Sequence, residues 1–142
     1  MLQSAEAWFW TQGFVAIVDI KDHLESFRAE NAKVTLAAFA DVEAGMVLAA
    51  SGATKPAQET LDKLCAEAQS LLGDEAQQML AAVSDASQSG YGLAWHGAHL
   101  HVFLASPVEP GEALILIMPA PGDPFSVLEA AHGLLATVGQ GD

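Results

Sequence analysis

Hydrophobic positions along this chain change period several times, and each change marks an element. Ile17, Ile20, Leu24 and Phe27 recur at spacings of three, four and three, one face of an α-helix that Asp19 and Asp22 open and Asn31 closes. Val34 to Asp41 (VTLAAFAD) and Met46 to Ser51 (MVLAAS) read as two strands of a hairpin. Their turn is Glu43-Ala44-Gly45, where Gly45 can supply a positive φ. A loop from Ser51 to Pro56 follows, with Thr54 expected to cap the next helix and Pro56 in its first turn. In that helix Leu61, Leu64, Ala68 and Leu71 share one side, while Gln58, Glu59, Asp62, Lys63 and Glu67 cover the other. Gly73 interrupts it. Glu75 to Val83 resumes helix with Met79, Leu80 and Val83 inward, and Ser84 to Gly90 is a loop by composition.

The second half alternates with period two. Tyr91 to His96 (YGLAWH) places Tyr91, Leu93 and Trp95 on one face. Gly97-Ala98 is a two-residue turn of type II′, and His99 to Ser106 returns with Leu100, Val102 and Leu104 inward. Glu112 to Met118 (EALILIM) is continuously apolar and so predicts a central strand covered on both faces. A last helix spans Pro124 to Val138 with Phe125, Leu128, Leu135 and Val138 inward, and Gly139 to Asp142 is expected to fray. At the other end Ser4 reads as a helix cap, and Phe14 to Val18 fits helix or strand equally. The order helix, two strands, helix, three strands, helix predicts an α/β fold of the α+β type. It is a single antiparallel five-stranded sheet with helices on both faces, the apolar strands central and Tyr91 to His96 nearer an edge.

Charge narrows the partners. The 142 residues carry a formal net charge of −13, and all five basic residues (Lys21, Arg28, Lys33, Lys55, Lys63) precede position 64. Phosphate backbones and anionic membranes need clustered cations, so neither nucleic acid nor a membrane surface is expected as a partner. A basic protein surface fits better. The single cysteine, Cys65, lies in a helical pattern and reads as a buried thiol, and the absence of a disulfide framework points to a cytoplasmic protein.

The ordered set FADVEAG, MVLAASG, ETLDKLCAEAQSLLG, a hairpin, ALILIM and a final helix resembles the roadblock / dynein light chain family of profilin-like domains. The match covers residues 19–138 as the domain and leaves 1–18 as an N-terminal extension. The resemblance implies a non-enzymatic interaction module, a dimeric scaffold or regulator of a small GTPase. It implies homodimerisation through an edge strand and the helix before it. Carried over, the dimer or partner interface uses Tyr91, Leu93 and Trp95 on the strand, with Leu61, Leu64, Ala68 and Leu71 divided between core and partner. An exposed apolar edge strand needs pairing or cover on independent grounds. Trp8-Phe9-Trp10 is expected to dock on the sheet or on a partner subunit.

Catalytic templates are missing: no G-x-S-x-G elbow, P-loop, dinucleotide glycine pattern or H-E-x-x-H occurs, and no cofactor is expected. The histidines form the one constellation that could carry chemistry. His96 and His99 flank the two-residue turn, and His101 shares their face, so three imidazoles gather on one hairpin. The bland reading is a polar face turned to solvent or to a partner, a middle one is a pH-sensitive surface, and the sharper one is a small-ligand or metal-binding sensor taking Zn²⁺ or Cu²⁺. His132 is expected to pack partly buried in the last helix, and His23 to lie at the surface.

Overall fold

The computed structural model describes residues 20–83, 90–107, 109, 111–120 and 122–140, with side chains at those positions except 79–83 and 137–140. The expectations for Ser4, Trp8 to Trp10, Phe14 to Val18, Met79, Leu80, Val83, Val138 and most of the loop before Gly90 lie outside these residues. Helix α1 covers residues 20–30, followed by strands β1 (Leu36–Asp41) and β2 (Met46–Gly52) and helices α2 (Gln58–Leu72) and α3 (Asp74–Val83). Strands β3 (Tyr91–His96), β4 (His99–Ala105) and β5 (Glu112–Pro119) and helix α4 (Pro124–Gln140) complete the chain.

The strands form one antiparallel sheet in the order β2-β1-β5-β4-β3. The continuously apolar β5 is its centre, because both of its faces are covered. Leu114, Leu116 and Met118 join Ala37, Phe39, Leu100, Val102 and Leu104 beneath α1 and α4. Ile115 joins Leu36, Ala38, Ala40 and Phe103 beneath α2. Each wholly buried side chain of this size stabilises the fold by roughly 1.5–3 kcal/mol. The α2 side includes several small residues, Ala38, Ala40 and Ala68 among them, which lets that helix lie close to the sheet.

Local chemistry sets the element ends. Both Asn31 N and Asn31 Nδ2 donate to Phe27 O, at 2.9 and 3.0 Å, which closes α1. Asp41 Oδ1 accepts from Ala44 N at 3.0 Å in the β1–β2 turn, and Gly45 has φ 71°. Gly97 has φ 61°, as a type II′ turn at Gly97-Ala98 requires, and among the described residues only glycines have a positive φ. Gly73 parts α2 from α3 in an extended conformation, φ −67° and ψ 162°.

Four expectations are corrected. Thr54 does not cap α2: the N-cap is Ala57, itself extended and without a side-chain bond, so Pro56 falls ahead of the helix. Phe125 is 57% exposed, because the buried stripe of α4 runs through Val127, Leu128, Ala131 and Leu135. His132 is exposed for the same reason, one residue and about 100° round the helix from Ala131. His23 is half-buried.

Candidate functional site

Strand β3 ends the sheet, and its hydrogen-bonding parity decides what it offers. Ala105 N donates to Gly90 O at 2.7 Å. In the register that follows, Gly92, Ala94 and His96 exchange backbone bonds with Phe103, His101 and His99. The N–H and C=O groups of Tyr91, Leu93 and Trp95 therefore point away from β4, and among the described residues no strand pairs with them. Tyr91 O is met by a side chain instead. Gln77 Nε2 donates to it at 3.1 Å and to Leu71 O at 2.9 Å, while Gln77 Oε1 accepts from Gly90 N at 2.7 Å. One amide from α3 thus closes the upper end of the edge and leaves the backbone of Leu93 and Trp95 open.

Side chains follow the same parity. Tyr91 and Leu93 pack partly buried against the core under α1 and α4, whereas Trp95, further along that face, is 61% exposed. On the opposite face Gly92 and Ala94 lie under α2. A Cβ at Gly92 would sit 2.8 Å from Leu71 Cβ, so the absence of a side chain is what admits the helix. Within α2, Leu64 and Ala68 are buried, and Leu61 and Leu71 are partly buried against the same cluster. Cys65 is buried beside them, as its pattern suggests, and desolvation raises its thiol pKa, with the Asp62 and Asp41 carboxylates adding to the rise.

The histidines of the hairpin meet an acid that sequence distance concealed. Glu67 projects from α2 between them: its Oε1 lies 2.7 Å from His101 Nδ1 and its Oε2 2.5 Å from His96 Nε2. The two rings are tilted by 31° with centroids 4.3 Å apart, and His101 stands edge-on to Phe103 at 6.3 Å. His99 pairs with His96 across the turn, yet it is exposed and stands outside this constellation. Glu67 occupies a position in α2 that periodicity assigns only to the polar side. Nothing in the linear pattern joins it to a hairpin about thirty residues on.

A further open groove of about 990 Å³ lies at the start of α2, lined among others by Lys21, Arg28 and Lys55. Its guanidinium is engaged internally: Arg28 Nε donates to Val34 O at 3.3 Å and Nη1 to Ser51 Oγ at 3.1 Å. Among the described residues no helix is long and apolar enough to cross a membrane.

No family model matches the chain, and no curated protein matches it either. Solved structures do. It is similar to MglB in a tetrameric arrangement, at 17% identity and TM-score 0.67, covering 99% of this chain and 92% of that one. The gliding protein mglB from Thermus thermophilus is similar at 19% identity and TM-score 0.62, over 100% and 96% of the two chains. A roadblock/LC7 domain from Streptomyces avermitilis is similar at 15% identity and TM-score 0.58, over 75% and 82%. The chain has the roadblock-type, profilin-like fold.

Proposed function

We propose that this roadblock-fold chain is a non-enzymatic interaction module that pairs its β3 strand with that of a second copy and serves as a scaffold or regulator of a small GTPase. Residues 19–138 form the module. The observation that carries the reading is the edge itself: two consecutive outward-facing backbone positions, Leu93 and Trp95, with an exposed indole beside them. Such an edge is a template for another strand unless something covers it.

The other edge of the sheet is a poorer template. In β2 the register slips between Phe39↔Ala49 and Ala40↔Val47, leaving Leu48 as a bulge. Bulges bend and twist a strand away from further pairing. In β3 the register runs without a break from Tyr91 to His96. A two-fold dimer centred on Ala94 sets Leu93 opposite Trp95 of the second copy and reciprocally, and it leaves Tyr91 O to Gln77. The partly exposed Leu71 of α2 flanks this seam, while Leu64 and Ala68 belong to the core and Leu61 lies towards Ala50, Ser51 and Gly52 of β2. A stable interface of ordinary size buries about 800 Å² per partner, more than one strand provides, so the flanking helix is required.

Absolute mass from light scattering during gel filtration tests the reading. The chain should elute as a dimer across concentrations, and charge at the exposed Trp95, Trp95→Asp, should give a folded monomer. A monomer at every concentration, or an unchanged dimer in Trp95→Asp, refutes the interface. The GTPase half is tested by calorimetry with small GTPases loaded with GDP or a GTP analogue. Equal and negligible binding in both states removes it.

A further inference from the structure

We propose that Glu67, His96 and His101 form a binding site for a borderline divalent metal ion, Zn²⁺ foremost, with its remaining coordination position open to solvent or to a ligand. The proposal does not depend on the dimer or on the GTPase reading. Three elements contribute one donor each, Glu67 from α2, His96 from β3 and His101 from β4, and the donor atoms all lie within 4.8 Å of one another.

The geometry needs little change to accept an ion. Zinc sits about 2.0–2.2 Å from nitrogen and oxygen ligands, so tetrahedral donors stand roughly 3.3 Å apart. Glu67 Oε1 and Oε2 are now 2.7 and 2.5 Å from the two ring nitrogens. A shift of the Glu67 carboxylate by about 1 Å, with the ring nitrogens of His96 and His101 drawn from within 4.8 Å to the tetrahedral spacing, opens the centre. A cavity of about 220 Å³ lies against the three residues and is walled by Thr60, Lys63 and Leu64. The ammonium of Lys63 is held by Glu59 at 3.4 Å.

The site is also partly pre-formed. The side chains of His101 and Glu67 are 17% and 22% exposed, and that of His96 is 51% exposed, so two ligands are fixed and the third faces the entry. Phe103, two residues along β4 on the same face, stands edge-on to His101 at 6.3 Å. Two imidazoles and one carboxylate are a nitrogen-rich set, which favours Zn²⁺, Cu²⁺ or Ni²⁺ over the hard cations Mg²⁺ and Ca²⁺. Two histidines and one glutamate with an open fourth position is a donor set zinc accepts.

Calorimetric titration of the chelator-treated full chain with zinc chloride, and separately with magnesium chloride, tests this. One Zn²⁺ per chain and no magnesium heat are expected. His96→Gln, His101→Ala and Glu67→Gln should each weaken binding at least tenfold, the scale on which even outer partners of a metal site act. His99→Ala, on the same face and outside the cluster, should leave affinity unchanged. The exposed His96 makes the first of these variants safe for folding, and urea midpoints verify the other two. In the parent protein, zinc should shift the ring signals of His96 and His101 in NMR spectra and spare those of His99. The assignment is overturned by absence of zinc binding, by affinity indifferent to His96→Gln and His101→Ala, or by equal loss in His99→Ala.

Discussion

Gly92→Ala probes the contact on which the geometry of the edge depends. The added Cβ would stand 2.8 Å from Leu71 Cβ, with Leu71 Cδ1 and Cγ at 3.5 and 3.6 Å. Carbon atoms rest about 3.5–4.0 Å apart, so the closest pair is short by roughly 0.7–1.2 Å. Neither Cβ can rotate aside, because each is fixed by its own backbone, and relief requires α2 to lift or β3 to bend. Overpacking of this kind costs about 1–3 kcal/mol. Replacing a strand glycine returns roughly 0.5–1 kcal/mol of backbone entropy. The net loss is then about 0.5–2 kcal/mol, a fall in melting temperature of roughly 2–8 °C for a chain of this size. Urea and thermal unfolding at matched protein concentration measure it, since any self-association makes the midpoint concentration-dependent. A second variant identifies the colliding atom. Leu71→Ala retains the Cβ and should not rescue Gly92→Ala, whereas Leu71→Gly removes it and should show favourable coupling in a double-mutant cycle. The reasoning fails if Gly92→Ala equals or exceeds the parent in stability, or if Leu71→Ala rescues as well as Leu71→Gly.

Other outcomes test the surroundings of the edge. Phe103→Ala empties the space beside Gly92 on the α2 face and should cost about 3–5 kcal/mol; a smaller loss in urea titrations would mean that α2 collapses onto the gap. Gln77→Ala removes three hydrogen bonds and should cost about 1–3 kcal/mol, with faster amide exchange at Gly90 as its local sign; unaltered exchange there would disprove the brace. Cys65 is 2% exposed, and burial raises its thiol pKa, so at pH 8 the native protein should alkylate far more slowly than the same protein in urea. Rapid stoichiometric labelling of the native form would contradict that placement.

Much of the fold was legible because period and burial agree along most of the chain. Leu24 and Phe27 in α1, Leu64 and Ala68 in α2, and Leu100, Val102 and Leu104 in β4 all fall where their spacing puts them. Continuous hydrophobicity placed Glu112 to Met118 at the centre of the sheet for the same reason. Where two neighbouring residues are both apolar, pattern alone chooses badly. Phe125 and Val127 compete for the inner face of α4, and the phase set by Leu128, Ala131 and Leu135 excludes Phe125. The candidate site was half legible. Three histidines could be gathered by strand parity, but Glu67 reaches them only because α2 crosses the sheet above the hairpin, and His99 is left outside by the same crossing. Gln77 was not legible at all: its value lies in three long-range bonds that a helical polar residue does not advertise.

The six residues YGLAWH show how one strand can carry several separate tasks without conflict. A period of two divides them. The odd residues turn Tyr91 and Leu93 to the larger core and their main chain to the open edge, so a side chain buried on that face and a strand added at the edge use the same residues through different atoms. The even residues turn their main chain to β4 and their side chains to α2. That side needs small atoms at Gly92 and Ala94, where the helix presses closest, and tolerates a large one at His96, where Glu67 receives it. Substitutions along the strand should therefore separate. A charge at Trp95 acts first on association, and bulk at Gly92 or a charge at Leu93 acts first on folding. Loss of the His96 ring acts on metal affinity with little effect on either. A strand serving only as sheet filler would show no such division, and every substitution in it would be read as stability alone.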